Sequence, residues 1–186
     1  MSDTESSTTA VQKIVTTKVV KAIAGDVKVS SVAVTELNKH LAEVLSSLGE
    51  KVVENLGKKK TINFDVLERS LDSDFDASSG TAAVKAYTDL VSTREKGGKT
   101  QSKSTSSGLV LGVSGVTKCF KAGLAPDSTS LSFGVGSGKK LSFSRNVDIY
   151  LAGVVENYLR KQVFPTALSN LAASKKKTLS VEHFEF

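Results

Sequence analysis

The sequence contains little proline, no tryptophan and a single cysteine. The scarcity of proline bears on the fold, and the single cysteine bears on disulfide bonding. Its two prolines are Pro126 and Pro165, so long helices can run without interruption over most of the chain. Cys119 has no partner for an internal disulfide and is interpreted as a buried thiol in a reducing compartment. No run of 18 apolar residues occurs, which predicts that no segment spans a membrane, and the polar stretch MSDTESSTTA predicts no secretory signal.

Acidic residues are scarce in the second half of the chain. Residues 1–100 carry 14 Lys and Arg against 14 Asp and Glu, whereas residues 101–186 carry 11 against 5. The whole formal net charge of +6 therefore belongs to the second half. A basic half indicates a polyanionic partner.

Apolar residues recur at helical spacing through the first half, which predicts an α protein. A short helix is predicted over residues 11–24, and a long one from Val32 to Leu56 with Ser30 or Ser31 as its N-cap. Two further helices are predicted in INFDVLERSL and GTAAVKAYTDLV. The apolar stripe of the long helix comprises Leu37, Leu41, Val44, Leu48, Val52 and Leu56.

The second half repeats this order after a polar linker. A tail at residues 1–10, a first unit at 11–93, a linker at 94–106 and a second unit at 107–186 are predicted. The second unit begins with a short helix in GVSGVTKCFKAG, with Ser114 as a possible cap, and continues through a long irregular loop. The long helix VDIYLAGVVENYLRKQVFPTALSNLAAS follows, and Pro165 is expected to kink it before the short final segment SVEHFEF.

Each long helix ends in the same basic turn. The copies are LGKKKTINFD at Leu56–Asp65 and ASKKKTLSVE at Ala173–Glu182. One such turn is typical of a solvated helix C-terminus, where lysines complement the helix dipole. Two copies at matched places favour a shared role in binding a polyanion.

Three catalytic or ligand-binding patterns are incomplete. DSDFDASSGTAA has Asp72, Asp74 and Asp76 at calcium-loop spacing, but Ala83 stands where a bidentate glutamate is needed. GVGSGKK lacks the first glycine and the Ser or Thr of a phosphate-binding loop. His40 and His183 have no neighbour at ligand spacing, and no nucleophile–base set is evident. The sequence therefore predicts a protein that is not an enzyme and holds no metal.

The two units resemble the histone fold, present twice. GDVKVSSVAVTELNKHLAEVL resembles the first loop and long helix of core histone 2B, and SSGTAAVKAYT at Ser78–Thr88 resembles the extra C-terminal helix of that family. SGLVLGVSGVTKCFKAG at Ser107–Gly123 and IYLAGVVENYL at Ile149–Leu159 resemble core histone 2A. The resemblance covers nearly the whole chain. Fused doublets in this order are known from giant DNA viruses of the Marseillevirus group.

The resemblance implies an all-α fold in which two histone folds pair within one chain, the first loop of each lying beside the second loop of the other. It implies a DNA-packaging protein with no cofactor and no small-molecule substrate, located in the virion and the infected cell (viral factory or nucleus). The implied partners are double-stranded DNA, bound through its backbone, and a histone 4–3-like doublet or tetramer. The implied DNA contacts are Lys28, Ser30, Ser31, Lys58, Lys59, Lys60, Thr61, Lys118, Lys121, Lys139, Lys140, Arg145, Lys175, Lys176, Lys177 and Thr178.

The chain also departs from these families. Leu179 and Gly115 stand where histone 2A has arginines, and the first ten residues, MSDTESSTTA, are acidic and contain no lysine, unlike the lysine-rich N-terminal tail of cellular histones. Two other functions therefore stay open. One is a histone-fold interaction module of a transcription complex, and the other is a decoy that binds histones without wrapping DNA.

Overall fold

Helices dominate the structure, a computed structural model that describes residues 13–94, 100–124, 131–132 and 139–186. The helices are α1 Thr17–Ala24, α2 Ser31–Leu56, α3 Phe64–Ser70, α4 Ala77–Thr93, α5 Lys103–Ser107, α6 Val113–Gly123, α7 Val147–Tyr158 and α8 Phe164–Ser174. A single turn of π-helix, Leu159–Val163, joins α7 to α8, and Val181–His183 forms a turn of 3₁₀ helix. Short strands are β1 Lys28–Val29, β2 Thr61–Ile62, β3 Leu131–Ser132, β4 Lys139–Lys140, β5 Ser142–Phe143 and β6 Thr178–Leu179. The predicted all-α class is confirmed.

The long helix α2 begins and ends where its sequence predicts. The hydroxyl of Ser30 accepts the N–H of Ala33 at 3.1 Å, which caps the first turn. At the other end Gly57 takes a φ of 56°, a conformation that favours glycine. Its buried stripe passes through Leu45 rather than the predicted Val44, which is half-buried. The apolar face of α2 packs into a single core that both halves of the chain share.

The first helix is shorter than predicted because a buried side chain holds the preceding residues extended. Asn38 of α2 accepts the N–H groups of Ile14 and Val15 at 2.7 and 2.9 Å, and it donates to the carbonyl of Val15 at 2.8 Å. These bonds take the backbone groups that a helix would use. Helix α1 therefore begins at Thr17, capped by Thr16.

A π-helical turn directly precedes Pro165, the position where a kink was predicted. Proline has no N–H for the carbonyl of Lys161, one turn earlier in the chain. The helix widens over Leu159–Val163, and the N–H of Phe164 donates to the carbonyl of Leu159, five residues back. Helical backbone thus runs without a break from α7 through the π-helical turn into α8, and the second lysine turn follows the end of α8.

The predicted linker at 94–106 contains a helix at its end. Helix α5 begins at Lys103, whose ammonium lies 2.5 Å from the carboxylate of Asp148 in α7. Ser106 and Ser107 are buried although both are polar, because α5 packs against α4 and α7. Apolar periodicity could not reveal this helix. The predicted tail at 1–10 lies outside the described residues.

Helices α4 and α7 approach closely at two glycines. A Cβ placed on Gly153 would lie 2.8 Å from Cβ of Ala83 and 2.9 Å from the carbonyl oxygen of Ser79. A Cβ placed on Gly80 would lie 2.7 Å from the ring of Tyr150. The two helix backbones therefore leave no room for a side chain at either glycine.

We expect Gly153→Ala to lower the free energy of unfolding by about 1–3 kcal/mol, because the added methyl group overpacks this contact. The matched control is Gly115→Ala in α6, where the nearest atom, the carbonyl oxygen of Lys13, lies 3.9 Å from the new Cβ. That change is expected to be neutral or to stabilise by up to about 1 kcal/mol through helix propensity. Urea unfolding followed by circular dichroism measures both, and equal stabilities would contradict the close packing of α4 on α7.

Two short parallel strand pairs join the halves. In the β1–β6 pair Lys28 lies opposite Thr178, and in the β2–β5 pair Thr61 lies opposite Ser142. Strand β1 directly precedes α2 and strand β2 follows it, so the pairs lie at the two ends of this helix. The 26 residues of α2 separate them by about 39 Å at 1.5 Å per residue.

Candidate nucleic-acid interface

The second lysine turn, Lys175–Lys177, lies at the β1–β6 pair. Helix α8 ends because Lys175 adopts a left-handed conformation with a φ of 56°. All three lysines are exposed, and β6 then pairs with β1, which brings Lys28 next to the turn. The N–H of Ser30 donates to the carbonyl of Leu179 at 2.9 Å, so the start of α2 is fixed against the same strand.

A buried histidine, His183, links the two sides of the second lysine turn by hydrogen bonds. His183 is 1% exposed, and its ring bridges residues on either side of the turn. Its Nδ1 accepts the N–H of Ser180 at 3.0 Å, so Nε2 carries the proton and donates to the hydroxyl of Ser174 at 2.9 Å. Sequence reasoning assigned His183 no role, and the serine-to-histidine spacing of a capping box was the signal that could have found it.

The first lysine turn, Lys58–Lys60, lies at the β2–β5 pair, and its side chains are also exposed. The carbonyl of Lys60 accepts the N–H of Ser142 at 2.9 Å. The hydroxyls of Thr61 and Ser142 lie 3.1 Å apart, so each can hydrogen-bond the other. Sequence reasoning missed Ser142, because its partner lies 81 residues earlier in the chain.

The remaining predicted contacts divide between positions near the β2–β5 pair and one more distant position. Arg145 is exposed two residues after β5, and Lys121 places its ammonium 5.0 Å from the ring centre of Phe143 within β5. Strand β4, made of Lys139 and Lys140, precedes β5 by one residue, and the side chains of β4 lie outside the described residues. Lys118 lies on the exposed side of α6, beside Asp148 in a shallow depression.

The structure thus collects the predicted residues into two groups at the ends of α2. The group at the β1–β6 pair comprises Lys28, Ser30, Ser31, Lys175, Lys176, Lys177 and Thr178. The group at the β2–β5 pair comprises Lys58, Lys59, Lys60, Thr61, Lys121 and Arg145, with the backbone of Lys139 and Lys140 nearby. Lys118 alone lies apart from the strands. Exposed ammonium groups and hydroxyls are suited to phosphate oxygens.

Two of the three aspartates at calcium-loop spacing, Asp72 and Asp76, form other contacts. Both carboxylate oxygens of Asp72 lie 2.5 Å from the ammonium of Lys51. Asp76 caps α4 by accepting the N–H of Ser78 at 3.0 Å, and hydrogen bonds from Ser78 hold the pKa of Asp76 below its ordinary value. Within the described ranges, no group of three or more His, Cys, Asp or Glu side chains could hold a metal ion. None of the described helices is both long and apolar enough to cross a membrane.

Comparison with known proteins identifies no family for this chain. No protein-family model matches the chain, and no curated protein matches its sequence.

Proposed function

We propose that this chain is a DNA-packaging histone doublet, in which a histone 2B-like half at 11–93 and a histone 2A-like half at 107–186 pair within one chain. The observation that carries the proposal is the pairing of each lysine turn with the loop before the long helix of the other half. This places two groups of cations on one molecule, each anchored on a strand pair. The resemblance of the loops and long helices to histones supports the same function.

The spacing of the two groups suits duplex DNA. They lie about 39 Å apart along α2, close to the length of one DNA turn of about 34–36 Å. Two groups at this spacing can bind phosphates on successive turns of one duplex. Lysines that neutralise phosphates release counterions, so binding tracks the backbone and the deformability of the DNA rather than its sequence.

The wider assembly follows from the resemblance. The doublet would join a histone 4–3-like doublet or tetramer in a nucleosome-like particle of a giant virus, in the virion and the infected cell. The two alternatives share the fold and differ in the ligand. An interaction module needs a protein partner alone, and a histone decoy binds histones without DNA.

Salt-dependent binding and nuclease protection together test the function. We expect the chain alone to bind duplexes of different sequence equally, with an affinity that falls steeply as salt rises. With a tetramer of core histones 3 and 4, we expect a protected DNA fragment longer than the tetramer protects alone. Binding to the tetramer without added protection would favour the decoy, and absence of DNA binding at low salt would refute packaging.

A further inference from the structure

The two lysine turns share more than the letters KKKT. In both, an acidic residue follows four positions after the threonine, Asp65 in the first half and Glu182 in the second. Both acids are exposed, and both lie in the short helical segment that follows the turn. The chain therefore offers an internal comparison, in which the same lysines are accompanied by two acids of different length.

The acid of the second turn is paired with a lysine of that turn. The ammonium of Lys176 donates to Oε1 of Glu182, and the side chains are each 56% exposed. The hydroxyl of Ser180 also donates to Oε1, at 2.9 Å, which orients the carboxylate toward the turn. Hydrogen bonding by Lys176, and then by Ser180, holds the pKa of Glu182 below its ordinary value. The carboxylate is thus ionised and directed at the middle lysine of the turn.

The first turn shows no such pair among the described residues. Among the residues that the structure describes, neither the lysines Lys58–Lys60 nor Asp65 forms an ion pair. Arg69 donates to the backbone carbonyl of Asp65 at 3.1 Å rather than to the Asp65 carboxylate. Asp65 is one methylene shorter than glutamate and lies in the first turn of α3, where its charge complements the helix dipole.

We propose that Glu182 is an internal counter-ion that competes with DNA phosphates for Lys176, so that the second lysine turn binds DNA more weakly than the first. The inference rests on the proposed function. It assigns to Glu182 the role of setting how strongly one of the two lysine turns binds DNA. A phosphate that binds Lys176 must displace the carboxylate or accept its repulsion. The cost is that of an exposed ion pair, worth a factor of about 1.5 to 5 in an equilibrium constant.

The test compares Glu182→Gln with Asp65→Asn, because both remove one negative charge at the same position relative to KKKT. Fluorescence anisotropy with a labelled duplex at several salt concentrations measures the affinity and its salt slope. We expect Glu182→Gln to tighten binding by about two- to fivefold at low salt and to steepen the slope by up to about 0.9, as one phosphate contact is gained. Asp65→Asn should change affinity by less than about twofold, since it releases no lysine.

A damaged fold is expected to separate the two lysine turns and to weaken binding, so a gain in affinity makes Glu182→Gln informative in itself. Lys176→Ala supplies the second background, in which Glu182→Gln should no longer tighten binding. Equal gains in affinity for Glu182→Gln and Asp65→Asn would overturn the proposed role of Glu182 and leave only an effect of net charge. So would a gain in affinity for Glu182→Gln that persists in the Lys176→Ala background. An unchanged affinity in Glu182→Gln, while alanines at either lysine turn weaken binding, would overturn this inference alone. A wild-type chain that does not bind DNA would overturn it together with the proposed function.

Discussion

Replacing Lys58, Lys59 and Lys60 together by alanine is expected to weaken binding to duplex DNA by on the order of tenfold to a hundredfold near 0.1 M salt. The physical reason is the loss of up to three phosphate contacts, each of which contributes about 0.9 to the slope of log K against log salt. The effect should be the same for different DNA sequences, since backbone contacts carry no base information. Anisotropy titrations at four or more salt concentrations measure both quantities.

The second lysine turn gives the parallel experiment, with Lys175, Lys176 and Lys177 changed to alanine. Its effect should be smaller than that of the first triple, because Lys176 is already paired with Glu182. A control with the same change in net charge replaces Lys39, Lys51 and Lys85, which lie away from both strand pairs and form ion pairs with Glu36, Asp72 and Asp89. If the control flattens the salt slope as much as the two turns do, binding is diffuse and the two-site interface is wrong. The unfolding midpoint should hardly move in either lysine-turn triple, because these lysines are exposed.

Replacing Glu156 by alanine is expected to lower the free energy of unfolding by about 2–4 kcal/mol, because two backbone N–H groups lose a charged acceptor at a buried position. Glu156 is 5% exposed in α7. Its Oε2 accepts the N–H groups of Val110 and Leu111 at 2.7 and 3.0 Å, and its Oε1 accepts from Arg160 at 2.9 and 3.0 Å. Alanine leaves two backbone donors without acceptors and a cation without its partner.

The measurement for Glu156 is chemical unfolding followed by circular dichroism. Glu156→Gln keeps one oxygen for Val110 and Leu111, and we expect it to lose less stability than the alanine variant. Glu68→Ala is the control, because Glu68 is exposed on α3 and forms no ion pair among the described residues. It should stay within about 0.5 kcal/mol of the wild type. A Glu156→Ala loss no larger than that of Glu68→Ala would show that the carboxylate does not hold the segment before α6.

Local signals in the sequence predicted the elements that depend on neighbouring residues. The serine before α2, the stripe within it and the glycine after it are all local, and α2 lies within one residue of its predicted start at Val32. The lysine turns were predicted for the same reason, since each directly follows a long helix. Pro165 predicted a kink, and a π-helical turn at Leu159–Val163 precedes it.

Features that depend on distant residues could not be predicted in this way. Asn38 sets the start of α1 through residues more than 20 positions earlier, and Glu156 bonds backbone groups about 45 positions earlier. The pairing of each lysine turn with the other half was expected from the resemblance alone, because no spacing rule relates Lys28 to Thr178. The Lys176–Glu182 and Ser174–His183 contacts each span the turn, so only the capping-box spacing of Ser180 and His183 was visible in the sequence.

The two strand pairs and the common core all join residues of a single chain, and this sets how the protein behaves on dilution. Two separate subunits held by the same contacts would fall apart below their dissociation constant, and their stability would depend on concentration. Covalently joined halves meet instead at an effective concentration of about millimolar, whatever the amount of protein in solution. The two lysine turns therefore stay on one assembled body at the nanomolar concentrations of a DNA-binding experiment, and a cut between Arg94 and Thr100 would make that assembly depend on concentration.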